Sequence, residues 1–326
     1  MPLLAAAGCA LLAPSVPPEG EPEPLPSAAP VVPPVPSEAP RAAPVAAMPA
    51  PRALRATPAP VARPVAIVHD GTVASHADVA AAIAVRLSSA HFAPRMIGLD
   101  GVQSADAAAV VAVGREAAFA ARARFPDRPI VFCQVFDYHE LLAAGGVWGV
   151  HAMPPVALQL RAWKTVVPSL ERVGFILSAA HADLAEEALQ AAAAAGIRVS
   201  HELSSSDRET LYLFRRLAAD IDGLWLFPDN RILSRTVLRE LLAYASARDI
   251  SVLVHSDALL EWGASFSVAS TPADVARSVH RVLDAIVDGA APAAMTRLSE
   301  VALTSNPAAA GSAAVPPARW VLRELD

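Results

Sequence analysis

Gly223-Leu-Trp-Leu-Phe-Pro-Asp-Asn230 indicates the architecture of this protein most directly. Its first five residues predict a short buried strand, because they are apolar and Pro228 ends the run. Asp229 and Asn230 then stand at the carboxyl end of that strand. In open α/β sheets, ligands bind beyond the carboxyl ends of the strands. These two polar residues are therefore the first candidates for a binding site.

The residues that follow complete a repeating unit. An amphipathic helix is predicted from Leu233 to Arg248, and a second apolar strand from Ile250 to His255. Strand, polar tip, helix and strand form the unit of a parallel sheet. The same order recurs between Val65 and Cys133 and again from Arg172 onward, so the sequence predicts an α/β protein with two series of parallel strands.

Two segments interrupt this rhythm, near residues 147 and 265, and we interpret them as crossings between two lobes. We therefore predict two doubly wound parallel-sheet lobes with a cleft between them. The predicted boundaries are 64–147 plus 265–326 for lobe 1 and 148–264 for lobe 2. Closure of such lobes on a ligand is a standard hinge motion.

The composition narrows the class of protein. The chain has 326 residues, a formal net charge of −6 and 54% hydrophobic residues, a share that alanine inflates. No uninterrupted strongly apolar run reaches the ~18 residues that a transmembrane helix needs. The acidic balance and the lack of Lys/Arg blocks argue against nucleic acid as a partner.

The first 63 residues differ from the rest. Ala6-Ala7-Gly8-Cys9 resembles the end of a bacterial lipoprotein signal, with Cys9 as the lipidated residue, although Ala6 stands where Leu is usual. The alternative is an alanine-rich terminus without a role. The proline-rich segment that follows predicts an extended, disordered tether, because proline removes backbone donors and fixes φ.

The segment from Val173 to Pro292 resembles the ABC-transporter substrate-binding lipoproteins of the tryptophan/tyrosine type. The resemblance lies in the order of Gly174-Phe-Ile-Leu177, the strand before Asp229-Asn230, Ile250-Ser-Val-Leu253 and Gly263-Ala264. The first lobe is similar only more loosely, and its crossing reads Gly146-Val-Trp-Gly149 where the family has an Asn. The resemblance implies the type I periplasmic-binding fold, with several strand tips facing one cleft.

Six residues are predicted to bind the ligand, all at strand ends: Asp229, Asn230, Ser178, Ser256, Asp70 and Gly114. A carboxylate, an amide and hydroxyls offer hydrogen bonds of both senses to a small polar molecule. The alternatives are structural: Asp229 or Asn230 capping the next helix, Ser256 capping a helical turn, and Gly114 serving only a tight turn. His181, near Ser178, faces the same cleft or is a solvated loop residue.

Phe136 and Tyr138 could stack on a flat ligand, but packing in the core or at the rim is the simpler interpretation. We find no catalytic motif, no metal-ligand spacing among the histidines and no cofactor signature. Cys133 lies in an apolar run and is predicted to be a buried small hydrophobe.

Together, the resemblance implies a non-enzymatic lipoprotein of the periplasm or cell envelope. It would bind a small molecule such as an amino acid and deliver it to ABC permease subunits, with a lipid anchor as its only membrane contact. The alternative is an accessory envelope lipoprotein without a transport ligand. A repressor sensor domain would need a DNA-binding helix-turn-helix ahead of Val65, where the proline-rich stretch stands.

Overall fold

The computed structural model describes residues 62–88, 91–143, 145–229, 231–309 and 319–323. The predicted lipidation site Cys9 and the proline-rich segment lie outside these residues. The described residues form thirteen strands: β1 Arg63–His69, β2 Phe92–Gly98, β3 Ala109–Val113, β4 Ile130–Cys133, β5 Val147–Val150, β6 Arg172–Ser178, β7 Arg198–Ser204, β8 Gly223–Trp225, β9 Ser251–Val254, β10 Phe266–Ala269, β11 Met295–Thr296, β12 Glu300–Ser305 and β13 Arg319–Arg323.

Helices follow most of the strands, as the repeating unit predicted. They are α1 Ala74–Ser88, α2 Arg115–Arg124, α3 His139–Leu142, α4 Val156–Val166, α5 Ala182–Ala194, α6 Asp207–Leu217, α7 Arg235–Ser246 and α8 Pro272–Val287 within the described ranges. Ser206 and Thr271 cap α6 and α8, each accepting a hydrogen bond from the backbone N–H three residues on.

The first sheet has the order β11-β5-β4-β3-β1-β2, with parallel pairing throughout. Its central strands are apolar on both faces because helices cover both. Val65 and Ile67 pack towards α1 and α8 on one face, while Ala66 and Val68 pack towards α2 on the other. Cys133 is buried in this core as predicted, and burial raises the pKa of its thiol to about 12.

The second sheet has the order β13-β12-β10-β9-β8-β6-β7. In this sheet β12 pairs antiparallel with both β10 and β13, and the other neighbouring strands pair parallel. Helices α4 and α5 cover one face, and α6 and α7 cover the other. Gly223 begins the predicted central strand, and packing explains why a glycine stands there. A Cβ at this position would lie 2.7 Å from the Trp163 ring. The buried indole of Trp163 also donates a hydrogen bond to Ser251 Oγ over 3.1 Å.

The predicted fold class, two parallel-sheet α/β lobes joined by crossings, is confirmed. The sheets nevertheless divide the chain differently from the expected boundaries of 64–147 plus 265–326 and 148–264. All of β5 belongs to the first sheet, whereas β10, β12 and β13 belong to the second. The chain crosses only after β5 and β10 have paired, and β12 lies inside the second sheet, between β10 and β13.

Three crossings connect the sheets in the described part of the chain, at residues 151–155, 270–271 and 297–299. Buried polar groups tie the second crossing to the third. The Asp274 carboxylate accepts hydrogen bonds from the backbone N–H groups of Ser299 and Glu300, over 2.7 and 2.8 Å. Thr271 Oγ1 donates to Glu300 Oε2 over 2.8 Å, and Arg323 of β13 binds the other Glu300 oxygen over 2.6 Å.

No helix in the described part of the chain is both long enough and apolar enough to span a membrane.

Candidate functional site

A cavity of about 160 Å³ lies between the lobes at the carboxyl ends of the strands. The loops after β4, β5 and β8, the start of α5 and the third crossing all contribute to it. Its lining residues are Val135, Phe136, Tyr138, His139, His151, Ala152, Met153, Pro154, Pro155, Val156, His181, Asp183, Leu184, Glu187, Phe227, Pro228, Arg297 and Leu298. This is the position at which an α/β sheet binds ligands.

The wall from the first lobe is aromatic. The Tyr138 ring lies 5.0 Å from the His139 ring and meets the His151 ring edge-on at 5.7 Å, measured between centroids. Burial raises the pKa of the Tyr138 hydroxyl, and the nearby carboxylates of Asp183 and Glu187 raise it further. Burial lowers the pKa of His151, so this imidazole is neutral near neutral pH. The wall therefore offers ring faces and neutral hydrogen-bonding groups.

The wall from the second lobe combines acidic and apolar groups. Asp183 and Glu187 are one turn apart on α5, with Leu184 between them on the lining. Phe227 forms an apolar patch, and its ring is fixed by packing against Trp225, with the centroids 3.9 Å apart, and against Phe175 at 5.7 Å. Two carboxylates of the second lobe therefore lie across the cavity from the aromatic wall of the first lobe.

Arg297, in the third crossing, adds a cation to the lining. It lies close enough to His151 to lower that residue's pKa, an effect that Glu187 opposes. Among the described residues, the side chains of Arg297, Asp183 and Glu187 form no hydrogen bond or ion pair within the protein. The cavity thus presents charges of both signs that a bound molecule can satisfy.

Asp229, Ser178 and Ser256, the described site residues predicted in the second lobe, do not line this cavity. Asp229 is only 3% exposed, and its carboxylate accepts hydrogen bonds from the backbone N–H of Ser178 over 2.9 Å and of Arg231 over 3.2 Å. His181 Nε2 stands 4.0 Å from the same carboxylate. Asp229 therefore joins the ends of β6 and β8. It does not cap α7, because Ser234 does.

Ser178 and Ser256 remain near the strand ends where they were predicted. Ser178 Oγ is buried and has no hydrogen-bond partner among the described residues. Ser256 lines a second hollow, of about 430 Å³, within the second lobe, together with Asp229, His255 and Trp262. Its hydroxyl does not cap the turn that follows. The remaining predicted residue of this lobe, Asn230, lies outside the described residues.

Asp70 and Gly114 come together in the first lobe, because β1 and β3 are neighbours in the sheet. Asp70 accepts hydrogen bonds from the backbone N–H and hydroxyl of Thr72, over 2.9 and 2.7 Å, and these lower the pKa of its carboxyl. Gly114 lies against His76, whose Cε1 would be 2.4 Å from an added Cβ. Neither residue lines the cavity between the lobes.

The lining residues that were not anticipated as ligand contacts include His151, Asp183, Glu187 and Arg297. Two of them left a signal in the sequence, since Asp183 and Glu187 are spaced to share one helix face directly after a strand end. His151 and Arg297 belong to crossings, and their approach to α5 depends on how the lobes meet. No group of three or more His, Cys, Asp or Glu side chains in the described ranges could hold a metal ion.

Two mostly parallel sheets, joined by three crossings with a cavity at their strand ends, define a two-lobed solute-binding protein. The chain belongs to the family of ABC transporter substrate binding proteins, whose model matches residues 100–315. Proteins of this family bind small-molecule ligands, work with ABC permeases and are generally not enzymes. Comparison with curated proteins gives no match.

Solved structures agree in fold. A substrate binding protein with adhesive properties from Clostridium difficile, in a ligand-free open structure, is 16% identical with a TM-score of 0.54. The alignment covers 73% of this chain and 91% of that chain. A conserved domain protein from Vibrio cholerae is also 16% identical, with a TM-score of 0.50 and coverage of 79% and 96%. At this identity the likeness shows the type I periplasmic-binding fold and leaves the ligand open.

Proposed function

We propose that this protein is an extracytoplasmic solute-binding protein that carries an amino-acid-like molecule to an ABC permease. The solute would bind in the cavity between the lobes. The observation that carries the proposal is that Asp183, Glu187 and Arg297 line the cavity without an ion pair among the described residues. A solute with an ammonium and a carboxylate group would neutralise both signs of charge.

The aromatic wall points to a solute with a flat or apolar part. The faces of Tyr138 and His139 and the ring of Phe227 are the surfaces available for stacking or edge contacts. An ammonium group placed between Tyr138 and the α5 carboxylates would also gain from the π face of the ring. Mechanistically, the protein then needs only to open and close around the solute.

Four of the six residues predicted at strand ends, Asp229, Ser178, Asp70 and Gly114, receive a supporting role in this proposal. Asp229 and Ser178 fix the ends of β6 and β8, from which His181 and Phe227 reach the cavity. Asp70 and Gly114 shape the corresponding end of the first lobe. Ser256 and Asn230 stay candidates for contact with a solute that extends beyond the cavity towards the second hollow.

Membrane attachment is a separate part of the proposal. We propose that Cys9 carries a lipid anchor and that the proline-rich segment tethers the binding lobes to the envelope. Two acyl chains on one cysteine supply the two hydrophobic signals that stable anchoring requires. Metabolic labelling with a radioactive fatty acid tests this, because labelling should be lost in Cys9→Ser and kept in Cys133→Ser.

A panel of amino acids, sugars and small carboxylates, screened by thermal shift and then by calorimetry, tests the ligand class. We expect one or more amino acids to bind. Arg297→Gln or Glu187→Gln should weaken binding about tenfold or more, because each removes a charge-assisted hydrogen bond. Glu186→Gln and Arg208→Gln remove the same charges at exposed positions that do not line the cavity, and they should not alter the affinity.

Two results would contradict this function. If the Arg297 and Glu187 variants bind the solute with the affinity of the parent protein, the solute does not bind in this cavity. Absence of binding across the whole panel would favour an accessory envelope lipoprotein that retains the fold without a transport ligand.

A further inference from the structure

One short segment of the first lobe, residues 134–138, contacts the second lobe beside the cavity. Asp137 Oδ2 lies 2.6 Å from a guanidinium nitrogen of Arg231, which follows β8 in the second lobe. The neighbouring Phe136 ring meets His255, at the end of β9, edge-on with centroids 5.9 Å apart. The next residue, Tyr138, lines the cavity itself. The same segment therefore contacts both the opposite lobe and the solute space.

Both members of the Asp137–Arg231 pair are held in place by their own lobes. The backbone N–H of Arg231 donates to Asp229 Oδ1, and a guanidinium nitrogen lies 3.5 Å from His181 Nε2. On the other side, the backbone carbonyl of Asp137 accepts a hydrogen bond from Arg115 over 3.2 Å. Because each partner is already oriented, pairing across the cleft costs little side-chain entropy.

We propose that Asp137 and Arg231 form an interlobe latch that favours the closed arrangement of the lobes even without a solute. Asp229 acts on the latch as a positioning residue, since its buried carboxylate fixes the backbone of Arg231. The consequence for solute affinity rests on the proposed function, but lobe closure itself can be measured on the empty protein. The latch would raise affinity by increasing the fraction of molecules in the binding-competent state.

The magnitude follows from the environment of the pair. Both side chains are nearly half exposed, and exposed ion pairs shift an equilibrium by about fivefold at most. This shift applies directly to the closed-to-open ratio, because the two groups lie on different lobes and separate when the lobes open. Added salt should reduce it, since exposed charges are screened within about 8–10 Å at moderate ionic strength.

Distance measurement between spin labels on the two lobes tests the latch. Labels at Val85→Cys on α1 and Tyr212→Cys on α6, in a Cys9→Ser chain, report lobe separation, because both positions are exposed. Cys133 is fully buried and should not react. In the empty protein at low salt, we expect Asp137→Asn to increase the population of long distances relative to the unmutated pair, up to about fivefold. In 1 M salt the two distributions should converge.

Glu240→Gln is the matched control, because Arg215 and Glu240 form an equally exposed ion pair within the second lobe, 2.5 Å apart. It should leave the distance distribution unchanged. Identical distributions for Asp137→Asn and its parent, or an equal shift in Glu240→Gln, would overturn the latch. Neither outcome depends on a solute, so failure of the latch and failure of the proposed function are separate results.

Discussion

Gly114 is the residue at which backbone geometry and packing impose the same requirement. Its φ of 94° and ψ of 163° belong to a region that only glycine occupies readily, and a Cβ would meet the His76 ring at 2.4 Å. We expect Gly114→Ala to lower the free energy of unfolding by about 2–4 kcal/mol, combining backbone strain with displacement of His76. Chemical denaturation measures this loss.

Gly196→Ala is the control for Gly114→Ala. Gly196 also has a positive φ, of 66°, but an added Cβ would meet nothing within 4 Å. Only the left-handed backbone penalty of about 1 kcal/mol applies there. Equal losses in the free energy of unfolding of the two variants would show that the contact with His76 does not contribute to the cost of Gly114→Ala.

His255 predicts a specific pH dependence of stability. Burial lowers its pKa from 6.5 to about 4 in the folded protein. Below pH 6.5 the unfolded chain takes up a proton that the folded protein does not bind, so the folded state loses stability as the pH falls towards 4. Between pH 7.5 and 5 this amounts to about 2 kcal/mol. Urea denaturation at both pH values should show that loss in the parent and about 2 kcal/mol less in His255→Gln, whereas parallel losses would contradict it.

Single residues also show how far sequence reasoning reached at the site. It placed Asp229 and Ser178 at strand ends that face one cleft. The structure makes β6 and β8 neighbours in the sheet, which brings the two residues within a 2.9 Å hydrogen bond. Sequence reasoning assigned them to the ligand because a polar residue at a strand tip looks the same in sequence whether it faces solvent or a backbone N–H. Arg297 lies far along the chain from Asp183, and no local sequence pattern indicates that the two residues line the same cavity.

Among the secondary-structure elements, α8 begins at a residue with two roles. Thr271 caps the helix and also links the second crossing to the start of β12. Thr271 Oγ1 accepts from the backbone N–H of Asp274 and donates to Glu300, the first residue of β12 after the third crossing. Thr271→Val preserves the shape but removes both bonds and leaves a buried Glu300 oxygen without that donor. We expect a loss of about 2–3 kcal/mol in the free energy of unfolding, measured by chemical denaturation.

Ser206→Ala provides the comparison for Thr271→Val. Ser206 caps α6, accepting from the backbone N–H of Glu209 over 3.4 Å, away from the crossings. Its loss should cost about 1 kcal/mol, the ordinary value of a cap. A loss in Thr271→Val no larger than that would mean that the tie between the crossings contributes nothing to stability.

Elements with strong local signals were predictable. The strand predicted from Gly223, the helix predicted from Leu233 to Arg248 and the strand predicted from Ile250 to His255 match β8, α7 and β9 to within about two residues. Apolar runs and helix periodicity depend on neighbouring residues, so they can be recognised in the sequence. The sheet to which each strand belongs was not predictable from such local signals. The strands β10 and β12 are short, and their partners are chosen by long-range packing. β13 was not predicted at all, although its alternating exposure fits an edge strand.

For the whole molecule, the central question is whether the solute contacts one lobe or both. The lining comes from both, with Tyr138 and His151 on one side and Asp183 and Glu187 on the other. A solute that bridges them stabilises the folded state of each lobe, by about 2.7 kcal/mol at one hundred times its dissociation constant. A solute held by one lobe stabilises only that lobe.

Amide hydrogen exchange distinguishes these cases, because the slowest amides of each sheet report the unfolding free energy of their own lobe. With a bound amino acid at one hundred times its dissociation constant, we expect β1 and β3 of the first sheet and β6 and β9 of the second to gain equal protection, about a hundredfold. Arg297→Gln, at the same solute concentration, should reduce the gain in both sheets together, since it weakens one shared binding event. Protection confined to the second sheet would place the solute in the hollow beside Ser256 instead, and the lobes would then not close around it.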